Sequence, residues 1–164
     1  MGRALCPAGD EPRPTEVKTC PHRATEVVFP DGTRVFASAS AFHWIGGAGD
    51  PPDVGVWLDE SWASHGEVID WPDGGVPRDP EAAAAAIREA FEAAGRGERV
   101  EVGCIAGHGR TGTVLACMAS LAGVPAERAV GWVREHYCEK AVEPPYQEPW
   151  VEWFARTLAA PQAP

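Results

Sequence analysis

A glycine-rich loop between a strand-like run and a helix-like run constrains this chain more than any other feature. Residues 99–104 alternate valine with other residues, Gly107, Gly109 and Gly112 follow, and residues 111–122 contain no charged side chain. A helix that is apolar on all sides is a buried helix. A strand that turns sharply into a helix aims backbone N–H groups and the positive helix end at one point. We therefore predict an anion site where this strand meets a buried helix.

A cysteine and an arginine bracket this loop. Cys104 begins it, and Arg110 follows at the sixth position after the cysteine. A positive helix end and a neighbouring arginine favour the thiolate, which is the nucleophilic form of cysteine. The planar guanidinium group matches phosphate oxygens in a way that lysine does not. The pattern indicates a phosphate-binding loop that carries its own nucleophile, although a free cysteine is most often an inert buried thiol.

Three motifs in this chain resemble those of the cysteine-dependent protein-tyrosine and dual-specificity phosphatases. The spacing Cys-x5-Arg-Thr-Gly from Cys104 to Gly112 resembles the family signature. The segment WPDGGVP at 71–77 resembles the movable acid loop, and AVEPPYQ at 141–147 resembles the segment that ends in a water-positioning glutamine. The motifs stand in family order over residues 71–147, and they resemble a compact bacterial-type single domain of this family.

The resemblance implies a role for each matching residue. Cys104 is the nucleophile that forms a phosphocysteine intermediate, and Arg110 binds the phosphate together with the loop. Asp73 is the general acid and then the general base, Thr111 donates its hydroxyl group to the departing sulfur, and Gln147 positions the attacking water. The phosphate-binding residues are expected to be Ile105, Ala106, Gly107, His108, Gly109 and Arg110. Plainer interpretations remain open: a turn aspartate at 73, a helix-start threonine at 111 and an exposed helix-start glutamine at 147.

Two positions of the signature need separate comment. The family usually has a histidine just before the cysteine, whereas this chain has Gly103. Fewer groups than usual are therefore expected to hold the thiolate. His108 occupies a variable position of the loop, where a charged imidazole would favour acidic substrates such as phosphoinositides and a neutral one would simply line the rim.

The same loop also satisfies a different pattern. Gly107-x-Gly109-x-x-Gly112 matches the dinucleotide-binding fingerprint, which likewise follows a strand and opens a helix. That fingerprint needs a second strand ending in an acidic residue about 20 positions later. Here a helix-like run follows Pro125 instead, so we set the nucleotide interpretation aside.

The rest of the chain predicts an α/β fold. We expect a central, mostly parallel sheet of about four to five strands, flanked by helices on both faces and preceded by an N-terminal hairpin with an Asp31-Gly32 turn. Strands are predicted at 26–29, 33–37, 54–58, 67–70 and 99–104, and helices at 80–94, 111–122, from 125 and from 149. The polar Arg99 and Glu101 are expected near a strand end or an open face. Residues 1–14 are expected to form a loose leader and residues 15–160 a single catalytic domain.

Composition narrows the possible partners and the compartment. The 164 residues include 24 acidic and 14 basic side chains, for a formal charge of −10, which opposes general binding to nucleic acid or anionic membranes. No apolar run is long enough to span a membrane, and the first residues lack the apolar core of a signal peptide. We expect a cytoplasmic monomer.

The cysteines argue against a disulfide framework and against a metal. Five cysteines at irregular spacing are an odd set, which favours reduced thiols. Cys6, Cys20 and His22 offer three zinc ligands, but no Cys-x2-Cys pair and no second histidine completes a structural site. We expect no cofactor and no metal.

The expected function is hydrolysis of phosphotyrosine monoesters, with phosphoserine and phosphothreonine as further substrates. The partner is then a phosphorylated protein or a small phosphomonoester. Two alternatives stay open at this point: a phosphatase for a phosphoinositide or a small-metabolite phosphate, and a non-catalytic module that binds phosphopeptides.

Overall fold

The computed structural model describes residues 22–43 and 50–159, so the predicted leader lies outside the described residues. The strands are β1 (Thr25–Val28), β2 (Arg34–Ala39), β3 (Val54–Trp57) and β4 (Val100–Cys104). The helices are α1 (Ser40–His43), α2 (Pro80–Gly95), α3 (Gly109–Leu121), α4 (Ala126–His136) and α5 (Gln147–Ala159), with a short 3-10 helix at Glu60–Trp62.

The four strands form one sheet in the order β1-β2-β4-β3. β1 and β2 are antiparallel and form the predicted hairpin, in which Gly32 takes a positive φ of 87°. β2 and β3 both run parallel to β4 and lie on either side of it. The α/β class with a mostly parallel sheet is confirmed. β4 is an inner strand, so Cys104 is delivered at the middle of one sheet edge.

The strand predicted at 67–70 is wrong. A single parallel bridge joins Val68 to Trp57, and one backbone hydrogen bond of 2.9 Å runs from Ile69 N–H to the Trp57 carbonyl. The pairing stops there because the next residues leave the sheet edge: Trp71 turns inward, is 3 % exposed and packs edge-on against Trp150 of α5. Burial of that indole replaces further pairing along β3.

One face of the sheet carries the hydrophobic core. Strand residues that are partners across the sheet, Ala37, Val56 and Val102, are all buried on this face. α2 and α3 pack against it, and α4 and α5 pack in turn against α3. Asp79 caps α2 by accepting a hydrogen bond of 3.0 Å from the Ala82 N–H, as its position in the sequence predicts.

The opposite face is covered more thinly. The short 3-10 helix places the fully buried Trp62 against β4, and the Trp57 ring stacks on the Trp62 ring at a centroid distance of 4.3 Å. Helices therefore lie on both faces, but the long ones all share one face. Glu101 is the second residue of β4, so it lies near a strand end as predicted, but it is not on an open face. It is 4 % exposed and accepts a 2.6 Å hydrogen bond from Ser38, which makes its burial tolerable.

Two helices begin two residues earlier than predicted. α3 starts at Gly109 and α5 at Gln147, so Arg110 and Thr111 occupy the first turn of α3 and Gln147 the first position of α5. Across the described residues, every helix falls short of the length and apolar character needed to cross a membrane.

Candidate active site

The sulfur of Cys104 lies at the end of β4, beside the first turn of α3. The residue is 2 % exposed, and its Sγ accepts hydrogen bonds from the Gly107 N–H at 3.2 Å and from the Thr111 hydroxyl at 3.1 Å. Donors of this kind and the helix N-terminus stabilise a negative sulfur. The structure thus brings Cys104 and Thr111 into direct contact.

The loop between them takes its shape from Gly107, whose φ of 71° lies in the left-handed region. A Cβ there would stand 3.1 Å from Ala39 Cβ and from the ring of His22. The Gly107 carbonyl accepts a hydrogen bond from the buried Tyr137 hydroxyl at 2.5 Å. Ile105, by contrast, is 48 % exposed. The loop is therefore packed against the protein at Gly107 and exposed to solvent at Ile105.

Arg110 is buried and held on two sides. Its Nη1 donates to the Leu58 carbonyl at 3.1 Å and to the Trp71 carbonyl at 2.9 Å. Its Nη2 forms ion pairs with Asp59 at 3.2 Å and with Asp73 at 3.3 Å. The Nε–H has no hydrogen-bond partner among the described residues and is available to a phosphate oxygen. The guanidinium plane is therefore set before any anion binds.

Asp59 is a site residue that the sequence reasoning missed. Its side chain is 14 % exposed, and its other oxygen accepts a 3.0 Å hydrogen bond from the Ser61 N–H at the start of the 3-10 helix. A signal for it exists: Asp59 directly follows the strand predicted at 54–58, and the carboxyl ends of parallel strands meet at one edge of a sheet. Asp59 fixes the position of Arg110 rather than reaching the sulfur.

The segment at 71–77, here called the acid loop, lies across from the loop at 104–110, here called the phosphate loop. Asp73 is 82 % exposed at its side chain, and its contact with Arg110 places it beside the site. The loop is braced within itself, because the Trp71 indole N–H donates to the Gly75 carbonyl at 2.8 Å and Gly74 takes a φ of 66°. The structure therefore brings Asp73 to Arg110 while leaving it open to water.

Gln147 is fully buried, so the alternative of an exposed helix-start residue is wrong. Its Oε1 accepts hydrogen bonds from the Thr113 hydroxyl at 2.9 Å and from the Glu143 N–H at 2.7 Å. Its Nε2 donates to the Gly75 carbonyl at 3.1 Å. In this conformation the amide joins α3 to the acid loop, and its role in positioning water stays a prediction.

The unusual Gly103 has a structural cause. A Cβ at this position would stand 2.7 Å from Cε2 of Trp62, closer than real contacts allow. Trp62 fills that space and donates from its indole nitrogen to the Cys104 carbonyl at 3.2 Å. A histidine at 103 would therefore require Trp62 to shift, and the indole holds the end of β4 through its backbone.

His108 and His22 lie together at one side of the loop. Burial, and then the charge of Lys140, lower the pKa of His108. Burial, and then His108, lower the pKa of His22 to about 4. Both imidazoles are therefore neutral at pH 7, which favours the neutral rim interpretation of His108. Its Nδ1 lies 3.2 Å from Sγ of Cys138.

The family model described as protein-tyrosine phosphatase matches residues 58–135. That range contains Asp73 and the whole Cys104–Arg110 loop. Residues 58–135 are therefore similar to the protein-tyrosine phosphatase family. The resemblance drawn from the three motifs is confirmed, and the members of this family are cysteine-dependent phosphoric monoester hydrolases.

Solved structures agree with this assignment. The structure of Tk-PTP in its active form aligns with a TM-score of 0.52 and 25% identity, over 65% of this chain and 80% of that one. Kinase associated phosphatase, in a form whose catalytic-site cysteine is replaced by serine, aligns with a TM-score of 0.51 over 66% of this chain and 70% of that one. At 19% identity the second match shows the fold alone.

Two curated relatives come from Methanocaldococcus jannaschii. The uncharacterized protein MJECL20 is 54% identical over 63 residues, which are 38% of this chain and 42% of the relative. The uncharacterized protein MJ0215 is 54% identical over 54 residues, which are 33% of each protein. The chain thus matches less than half the length of either relative.

Proposed function

We propose that this chain is a phosphatase that hydrolyses phosphotyrosine monoesters, with phosphoserine and phosphothreonine as further substrates, through a phosphocysteine intermediate on Cys104. One observation carries the proposal. The Cys104 sulfur accepts two hydrogen bonds at the N-terminus of α3, while Arg110 lies in the same turn and contacts Asp73. This grouping supports Cys104 as the proposed nucleophile, Arg110 as the proposed phosphate-binding cation and Asp73 as the proposed proton donor.

In the first step the thiolate of Cys104 attacks phosphorus. The S–P bond forms as the bond from phosphorus to the ester oxygen breaks, and the leaving oxygen takes a proton from Asp73. Arg110 donates hydrogen bonds to the phosphoryl oxygens as charge develops on them. The Asp73–Arg110 contact must open for this, and solvent weakens the contact because the Asp73 side chain is 82 % exposed.

In the second step water attacks the phosphocysteine. Asp73, now ionised, takes a proton from the water, a P–O bond forms, and the S–P bond breaks to release inorganic phosphate. Thr111 donates its hydroxyl to the departing sulfur, with which it is already in contact at 3.1 Å. Gln147 positions the attacking water once its Nε2 releases the Gly75 carbonyl, to which it donates at 3.1 Å.

The proposed setting follows from the same chemistry. A thiolate nucleophile must stay reduced, which favours a reducing compartment such as the cytoplasm. The formal charge of −10 favours a protein or small-molecule substrate over nucleic acid or an anionic membrane. We propose that the chain works there as a monomer.

Turnover of p-nitrophenyl phosphate between pH 5 and 7 tests the proposal. The purified chain should release p-nitrophenol, Cys104→Ser should abolish release, and Cys117→Ser should retain it. Cys117 is the matched control, because it is a buried cysteine in α3 that the proposed mechanism does not use. If the protein binds phosphopeptide but releases no p-nitrophenol at any of these pH values, the chain is a phosphopeptide-binding module and not an enzyme.

A substrate panel then tests the specificity. Phosphotyrosine peptide should give the highest kcat/KM, phosphoserine and phosphothreonine peptides lower values, and soluble phosphoinositide headgroups the lowest. If a headgroup gives a higher kcat/KM than every peptide, the substrate is a lipid or metabolite phosphate and not a phosphoprotein.

A further inference from the structure

We propose that His22, His108 and Cys138 form a binding site for one Zn²⁺ ion beside the phosphate loop. This proposal does not depend on the hydrolytic activity, because it rests on residues that the mechanism above leaves unused.

The three residues come from separate parts of the chain. His22 precedes β1, His108 lies in the phosphate loop and Cys138 follows α4. Their possible ligand atoms all lie within 4.8 Å of one another, and His108 Nδ1 is 3.2 Å from Cys138 Sγ. Zn–N bonds of about 2.0 Å and a Zn–S bond of about 2.3 Å place tetrahedral ligands about 3.5 Å apart. The His108–Cys138 pair is already close to that spacing. Because all the ligand atoms lie within 4.8 Å of one another, His22 would need to approach by no more than about 1.3 Å.

His22 supplies a second, independent observation. It is 5 % exposed, and its Nε2 is buried without a hydrogen-bond partner among the described residues. A buried imidazole nitrogen without a partner is costly, and a metal ion satisfies it. The residue is also held in place, since its carbonyl accepts a 3.1 Å hydrogen bond from the Ala39 N–H and its ring packs on Tyr137 at a centroid distance of 4.3 Å.

The donor set selects the metal. Two imidazoles and one thiol are ligands that zinc prefers, whereas magnesium and calcium require oxygen ligands. Cys138 is fully buried and would bind as the thiolate, losing a proton when the metal enters. A water molecule or a substrate oxygen would take the fourth position.

The position of the site gives it a consequence for the loop. His108 directly follows Gly107, whose N–H contacts the Cys104 sulfur, and it precedes the first residue of α3. A metal at this point ties the loop to the segment before β1 and to the end of α4. Binding should therefore stabilise the folded protein through the loop itself.

Cobalt titration of the Cys104→Ser chain tests the site, with Zn²⁺ as the competitor. That background removes the nucleophile as a rival thiolate and makes the readout independent of turnover. One equivalent of Co²⁺ should give the visible bands of a tetrahedral site and a near-ultraviolet thiolate-to-cobalt band, and one equivalent of Zn²⁺ should remove both. Failure to take up one equivalent would overturn the proposal.

Variants in the same background assign the ligands. Cys138→Ser should lose the thiolate band, and Cys117→Ser should keep it. A band that persists in Cys138→Ser, or that depends instead on Cys6 or Cys20, would overturn the assignment. His22→Ala should weaken Zn²⁺ binding at least tenfold and cancel the rise in unfolding midpoint that Zn²⁺ gives the parent, and an unchanged rise would also contradict it. This thermal readout serves equally if Cys138→Ser folds poorly.

Discussion

The phosphate loop and the acid loop meet at Arg110 but are built in opposite ways. Cys104, Arg110 and Thr111 are all buried, at 5 % exposure or less, and their polar groups already contact one another or the backbone. Asp73 is 82 % exposed and touches the site only through Arg110. The half that carries the proposed nucleophile is thus buried and already hydrogen-bonded, whereas the half that carries the proposed acid is exposed to water.

The surroundings of each loop explain the difference. The phosphate loop joins the inner strand β4 to the apolar helix α3, so its two ends are fixed by the core. The acid loop is held from within by the Trp71–Gly75 hydrogen bond and from below by Gln147. Catalytic loops that close over substrate commonly have such a fixed base and a free tip.

Replacement of Asp73 should give the largest effect, and it tests the exposed half of the site alone. Asp73→Ala should lower kcat by roughly 10²- to 10⁴-fold because the leaving oxygen loses its proton donor. Affinity for inorganic phosphate should change little. The loss should be larger for phenyl phosphate than for p-nitrophenyl phosphate, whose leaving group needs less protonation. An unchanged rate and pH profile would remove Asp73 from the acid role and leave the exposed loop without a catalytic function.

Replacement of the arginine tests the buried half. Arg110→Lys keeps the charge but loses the planar donor pair, so kcat/KM should fall by roughly 10²- to 10³-fold. Unlike Asp73→Ala, this variant should also bind inorganic phosphate more weakly in a competition assay. Equal phosphate affinity in the two variants would contradict the idea that the buried half binds phosphate and the exposed half does not.

Asp59 tests whether the buried half is positioned in advance. Asp59→Asn leaves the shape but removes the charge that holds Nη2 of Arg110, so kcat/KM should fall by about tenfold. Asp70→Asn is the control, because Asp70 forms an exposed ion pair with Arg78 at the base of the acid loop and should change the rate less than twofold. Similar losses in both would indicate a general charge effect instead of positioning.

The smallest change adds one methyl group and tests how rigid the packing of Gly103 against Trp62 is, which we call the floor of the site. Gly103→Ala should lower the free energy of unfolding by about 1–3 kcal/mol, because its Cβ would stand 2.7 Å from Trp62. Gly131→Ala in α4 is the matched control: a Cβ there meets nothing within 4 Å, so the protein should gain about 0.5–1 kcal/mol. Urea unfolding measures both values, and equal effects would show that the floor adapts.

Local signals predicted the parts of the fold and site that depend on neighbours in sequence. The Asp31-Gly32 hairpin and the Asp79 cap of α2 each involve residues close along the chain. The Cys104–Thr111 contact came instead from the family resemblance. Glycine spacing and apolar periodicity carry that information directly.

The missed parts depend on contacts between distant segments. The strand at 67–70 fails because the Trp71 ring is drawn under α5, and the burial of Gln147 depends on a carbonyl 72 residues earlier. Asp59 acts on Arg110 only because β3 lies beside β4. No local pattern encodes such partners, whose identity the packing of the sheet decides.

The close approach of Trp62 to Gly103 constrains which residues can occupy these two positions together. The indole fills the space that a histidine side chain would need, so neither position can change alone without a clash or a cavity. Relatives with histidine before the nucleophile should carry a smaller residue where this chain has tryptophan. The two positions are therefore expected to vary as a pair among relatives.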